Sequence, residues 1–226
     1  MFISPMLLDE SSVPPEDYAN VITELKLDGI RLIYSNLSGI PRLYTKEKKD
    51  VTALFPEITN IDLPSGTVLD GEVISANGDN KPDYDRLMKR YMSNQVLREI
   101  PVQYVAFDIM FYNGKQITTF PLIKRKSILS QVIPTDTISI VTSQWIEGNS
   151  KSYFQVIKDY GLEGIVVKNP RSKYKIGKRS TDWLKIINEN YRRSEGFCKK
   201  PVWNIQWKTR KDREKLYEMY RKMMRN

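Results

Sequence analysis

Four short stretches of this 226-residue chain combine lysines, carboxylates and glycines in a way suited to work on a phosphate. They are Glu24-Leu25-Lys26-Leu27-Asp28-Gly29-Ile30-Arg31, Leu69-Asp70-Gly71-Glu72, Leu162-Glu163-Gly164-Ile165-Val166-Val167-Lys168 and Trp183-Leu184-Lys185-Ile186. A deprotonated lysine is a nucleophile, further lysines stabilise phosphoryl oxygens, and carboxylates are the hard oxygen ligands that magnesium takes. Taken singly, each stretch also reads as ordinary structure: a surface strand with a turn glycine, a tight turn, a buried strand between solvated charges, and a plain strand. The chain has no histidine, which excludes Ser-His-Asp triads, HExxH zinc sites and imidazole catalysis. Its single cysteine, Cys198, excludes an internal disulfide and a multi-cysteine zinc site.

The elements that must carry these side chains follow from periodicity. The run from Val21 to Asp28 reads as a strand ending at Gly29, with Lys26 and Asp28 on one face, and Arg31-Leu32-Ile33-Tyr34 resumes extended structure. Further strands are expected over 68–74, over 102–111 with a turn at Asn113-Gly114, and over 164–168 before Asn169-Pro170. Helices are expected at about 83–98, 121–132 and 150–160, the last with Phe154, Ile157 and Tyr160 at helical spacing. The fold class is α+β.

Toward the end, residues 202–207 alternate apolar and polar side chains, and a helix stripe of Leu216, Met219, Tyr220 and Met223 follows. Residues 188–226 hold 12 of the 36 basic residues and 5 of the 27 acidic ones, so most of the net charge of +9 is a property of this segment. A basic segment beside a nearly balanced body suits a polyanionic partner. No apolar run reaches the roughly 18 residues needed to span a bilayer, and the first residues lack a signal-peptide pattern, so a cytoplasmic protein is expected.

Taken together and in this order, the four stretches resemble the nucleotidyltransferase motifs of DNA ligases and mRNA-capping enzymes. Asp50-Val51-Thr52-Ala53-Leu54-Phe55-Pro56-Glu57 narrows the resemblance to ATP-dependent DNA ligases of the short bacterial and phage type. It covers residues 1–187 and implies an adenylation fold of mainly antiparallel sheets flanked by helices. Residues 188–226 would then be a truncated segment similar to part of an oligonucleotide-binding fold.

By this resemblance Lys26 is the nucleophile that takes AMP from ATP. Glu24 reads the adenine edge, Arg31 holds the ribose and Phe107 stacks on the base. Glu72 and Glu163 serve the ribose and a magnesium or manganese ion, while Lys168 and Lys185 meet the phosphates and favour the neutral form of Lys26. Lys46 and Arg42 fall near the phosphates or the DNA end. Arg171, Lys173, Lys178 and Arg179 are expected either to face DNA phosphates or to form a solvated loop.

The implied substrates are ATP and nicked double-stranded DNA. The implied protein is a monomer of a bacterial or phage-infected cell, active in DNA repair, recombination or replication. Two positions depart from the pattern: Ile187 replaces the second lysine of Trp-x-Lys-x-Lys, and Thr45-Lys46-Glu47-Lys48 stands where Ser-Arg-x-Gly is usual. Two other readings stay open, a non-catalytic nucleotide- or nucleic-acid-binding module and an RNA-ligase or capping-type nucleotidyltransferase.

Overall fold

Short apolar-rich strands pair into two sheets in the computed structural model, which describes residues 1–14, 20–76, 82–93 and 95–191. One sheet joins β1 (Leu7–Glu10), β11 (Arg179–Ile187), β10 (Gly164–Lys168), β2 (Ile22–Leu25) and β9 (Trp145–Glu147), in that spatial order. The other joins β4 (Arg42–Thr45), β3 (Ile30–Ser35), β5 (Val68–Ser75), β6 (Val102–Tyr112) and β7 (Lys115–Gln116), with β8 (Ile140–Thr142) also on β6. Strand pairing is antiparallel except between β1 and β11 and between β6 and β8.

Alternation along β3 shows how the layers form. Leu32 and Tyr34 turn toward helices, in a cluster with Ile58 of α1 (Pro56–Thr59), Leu87 of α2 (Tyr84–Ser93) and Leu129 and Val132 of α3 (Leu122–Val132). Ile33, between them, turns to the opposite face and joins Ile22 and Trp183 of the first sheet. On the far side of that sheet, Tyr153 and Ile157 of α4 (Ser150–Asp159) cover Ile165, Val167 and Ile186. The order is therefore helices, sheet, sheet, helix, and the inter-sheet layer is where a site can be built.

β6 departs from simple alternation in a way that matters for the site. Asp70 lies opposite Asp108 and Gly71 opposite Ala106, so Phe107 is left out of the ladder, and Met110 is skipped in the same way. A bulge of this kind re-aims the extra side chain. Phe107 and Met110 both turn into the inter-sheet cluster, while Tyr104, Ala106 and Ile109 stay with the helices.

The expected strands and helices are present, with different limits. The first long helix stops at Ser93, short of the expected 98, and Asn113 and Gly114 take positive φ in the β6–β7 turn. β2 ends at Leu25 instead of running to Asp28, because the chain must cross there to the second sheet. Gly29 makes that crossing possible: a Cβ on it would sit 2.2 Å from the carbonyl oxygen of Val73. Its role is close backbone approach, not a turn. The strand expected over 202–207 and the helix after it lie outside the described residues. Among the described residues, no helix is long and apolar enough to cross a membrane.

Candidate active site

The register of the first sheet sets one wall of a cleft between the sheets. Glu24, Val166 and Lys185 form one row across β2, β10 and β11, and Ile22, Lys168 and Trp183 form the next on the same face. Arg31 of β3, Glu72 of β5 and the bulged Phe107 supply the opposite wall. The cleft volume is about 60 Å³, small beside the roughly 300–1,000 Å³ usual for small-molecule sites.

Lys26 sits where the chain leaves β2. Its N–H donates to the carbonyl of Gly164 (2.9 Å), and its amine lies 2.7 Å from Glu163 Oε1, with the two side chains 22% and 12% exposed. Asp28, two residues on, accepts a hydrogen bond from the hydroxyl of Tyr191 (2.5 Å). The acid beside the lysine is thus Glu163, brought there because Gly164 starts β10 next to the end of β2.

At the cleft floor one carboxylate faces two ammonium groups. Glu24 is paired with Lys168 (2.9 Å) and with Lys126 of α3 (2.5 Å), and Ser143 donates to it (3.2 Å). Burial works against the Glu24 charge, but the two lysines hold its carboxyl below the usual range. Lys168 shares that single counter-charge, so burial outweighs Glu24 and pushes its amine down to about 8. The ammonium also lies over the rings of Trp183 (4.2 Å) and Phe107 (4.6 Å).

On the other wall, Arg31 donates Nε and Nη2 to Asp70 (2.9 and 2.6 Å) and Nη2 also to the Met6 carbonyl (2.7 Å). Burial opposes its charge, but Asp70 overrides it and holds the guanidinium pKa above its ordinary value. Burial pushes the Glu72 carboxyl up to about 7, with Lys26 and Arg31 opposing the rise and Glu163 and Asp70 adding to it. Two carboxylates close enough to oppose one another, beside the Lys26 amine, are a fitting place for a hard cation. Among the described residues no group of three or more His, Cys, Asp or Glu forms a ready-made metal cage. Glu72 and Glu163 are the cleft carboxylates that could hold a magnesium or manganese ion.

The structure thus gathers Glu24, Lys26, Arg31, Glu72, Phe107 and Lys168 in the cleft and sets Glu163 against Lys26. It does not bring every expected residue there. Lys185 is on the cleft-facing side of β11, but its amine pairs with Glu10 of β1 (2.8 Å). Lys46 lies in the turn after β4, the edge strand of the second sheet; it is 60% exposed, beside Glu47 (3.6 Å), and is not among the residues that line the cleft. Arg42 is exposed on the same edge strand, paired with Asp50 (3.3 Å). Arg171, Lys173 and Lys178 are exposed along the β10–β11 connection and Arg179 at the start of β11, while Ser172 and Tyr174 of the connection are buried.

Sequence reasoning missed Lys126 and Asp70. Nothing distinguishes a helix lysine that turns inward from its solvated neighbours, and its partner Glu24 is 102 positions away. Asp70 left a faint signal, standing two residues from Glu72 in an extended run.

A family model described as the ATP dependent DNA ligase domain matches residues 7–186. The chain belongs to that family. The SPbeta prophage-derived DNA ligase-like protein LigB of Bacillus subtilis (strain 168) is 42% identical over 204 residues, covering 89% of this chain and 74% of that protein. DNA ligase 2 of Methanosarcina mazei is 32% identical over 182 residues, 73% of this chain but 32% of that protein. This ligase-family chain therefore corresponds to most of the prophage protein and to only part of the archaeal enzyme.

Solved structures share its fold. A mycobacterial DNA ligase D complexed with ATP and MES aligns with a TM-score of 0.69 at 23% identity, over 82% of this chain and 60% of that one. Chlorella virus DNA ligase-adenylate aligns at 0.62 and 19% identity, over 82% and 67%.

Proposed function

We propose that this chain is an ATP-dependent DNA ligase, in which Lys26 takes AMP from ATP and passes it to the 5′-phosphate at a nick in double-stranded DNA. The observation that carries the reading is the position of the Lys26 amine, at the mouth of a cleft walled by Arg31, Glu72, Phe107 and Lys168 and held by Glu163. The neutral amine attacks the α-phosphorus of ATP. An N–P bond forms, the bond to the β-phosphate oxygen breaks and pyrophosphate leaves. Lysyl-AMP then gives AMP to the 5′-phosphate, and the 3′-hydroxyl displaces it to close the backbone.

The residues have distinct tasks in this scheme. Lys168 is a fixed cation for the phosphoryl oxygens, Phe107 is aromatic surface for the base, and Arg31 donates to nucleotide oxygens. Glu163 accepts the Lys26 proton or keeps the amine in place until substrate arrives. Glu72 and Glu163 would hold a magnesium or manganese ion, which supplies charge neutralisation at the phosphates. Arg171, Lys173, Lys178 and Arg179 are exposed and would follow the DNA backbone. The resemblance of the motifs supports the remaining parts of the reading: action as a monomer in the cytoplasm, with residues 188–226 as a separate basic segment.

A gel assay with a 5′-phosphorylated nick, ATP and magnesium tests the proposal. Joined product that requires both ATP and the 5′-phosphate is expected. No joining of either an ordinary or a pre-adenylated nick would exclude ligase activity.

A further inference from the structure

Behind the Arg31 wall, four groups close a ring of hydrogen bonds. The Tyr174 hydroxyl donates to Asp70 Oδ2 (2.6 Å) and accepts from the Met6 N–H (2.9 Å). Arg31 Nη2 donates to the same Asp70 oxygen (2.6 Å) and to the Met6 carbonyl (2.7 Å). Met6 and Asp70 are fully buried and Tyr174 is 4% exposed. Burial, with Asp70 adding to it, keeps the Tyr174 hydroxyl protonated well past its ordinary range, so it remains a donor.

A guanidinium has five N–H groups. The ring and Asp70 Oδ1 take those on Nε and Nη2, and among the described residues Nη1 makes no hydrogen bond to protein. Arg31 lines the cleft, so the two Nη1 donors are those it can offer a ligand. Asp70 alone leaves the carboxylate and guanidinium able to swing as a pair. The tyrosine supplies a fixed point, because its ring packs edge-on against Trp183 (5.7 Å) and lies under Arg125 (5.7 Å).

We propose that Tyr174 is a positioning residue for the nucleotide: its hydroxyl fixes Asp70, and through Asp70 the direction in which Arg31 presents its remaining donors to the oxygens of bound ATP. The inference rests on the reading of the cleft as the ATP site. Tyr174 belongs to the connection that exposes Arg171 and Lys173, so one segment presents the basic edge outward and steadies the nucleotide wall inward. Arg31 touches the nucleotide equally before and during transfer, so loss of its alignment raises KM and leaves kcat alone.

Tyr174→Phe in the full chain removes one oxygen and keeps the ring. Lysyl-AMP formation measured against ATP concentration should show KM raised about tenfold with kcat within about twofold. In an Arg31→Ala background the same substitution should change KM by less than about twofold, because the two act as a unit. An unchanged KM in Tyr174→Phe would overturn the proposal. So would an equal penalty in both backgrounds, or a fall in kcat and Tm in both, since these mark a merely structural tyrosine.

Calorimetric titration with ATP separates this inference from the reading beneath it. If the wild type binds ATP but forms no lysyl-AMP, the ligase reading fails, while a Kd about tenfold weaker in Tyr174→Phe still supports the positioning role and an equal Kd ends it. If the wild type binds no ATP, both fail.

Discussion

Two ion pairs in this molecule have nearly equal contact distances and opposite surroundings. Arg125 and Asp108 meet at 2.8 Å with both side chains fully buried, whereas Lys26 and Glu163 meet at 2.7 Å while 22% and 12% exposed. Arg125 forks onto both Asp108 oxygens and also donates to the carbonyls of Phe120 and Ser172. It ties α3 and the β10–β11 connection to the second sheet, and all its partners are protein. Lys26 has a compact amine at the cleft mouth, where a substrate can reach it. The contrast separates charges that hold the scaffold from charges that a ligand can rearrange.

The comparison can be broken at either pair. Arg125→Ala should lower unfolding free energy by about 3–5 kcal/mol, because Asp108 is left buried without its partner; a denaturant midpoint close to wild type would show that the pair is not structural. Glu163→Gln should leave stability nearly unchanged and slow magnesium-dependent AMP transfer about a hundredfold. Glu72→Gln should act in the same direction, and ATP affinity should change much less in both. Transfer rates equal to wild type at limiting magnesium would remove these carboxyls from the metal.

Lys168 sharpens the contrast through pH, since it is a buried charge with only a shared counter-ion. Its folded pKa, about 8, is below the ordinary 10.5, so between those values the unfolded chain binds more protons and stability rises with pH. That contribution is lost as pH falls through 8. The Tm difference between wild type and Lys168→Met should accordingly shift in favour of wild type from about pH 8 to 10.5. A difference independent of pH would mean that Lys168 is not held as described. The smallest effects belong to the exposed edge: alanine at Arg171, Lys173, Lys178 or Arg179 should each reduce the salt-dependence slope of nicked-DNA binding by about one unit. Parallel slopes would leave them as a solvated loop.

Much of this was legible in the chain itself. The strands that carry Glu24, Glu72 and Lys168 were visible because apolar alternation and motif spacing are local properties. The bulge that turns Phe107 into the cleft was not, since it depends on pairing β6 against the shorter β5. The partners of Lys46 and Lys185 were not legible either, since a lysine's position in a motif does not say which carboxylate its flexible stem will find, and here these are Glu47 and Glu10. Lys126 and Tyr174 became visible only when residues distant in sequence were brought within hydrogen-bonding reach.

The central claim is that Lys26 is the nucleophile of an ATP-dependent adenylation. Intact-mass measurement of the full chain after incubation with ATP and magnesium tests it most directly. The wild type should gain the mass of one AMP in an acid-labile, alkali-stable bond that peptide mapping places on Lys26, and Lys26→Ala, equally folded by Tm, should gain none. An adduct retained in Lys26→Ala, or mapped to another residue, would contradict the account.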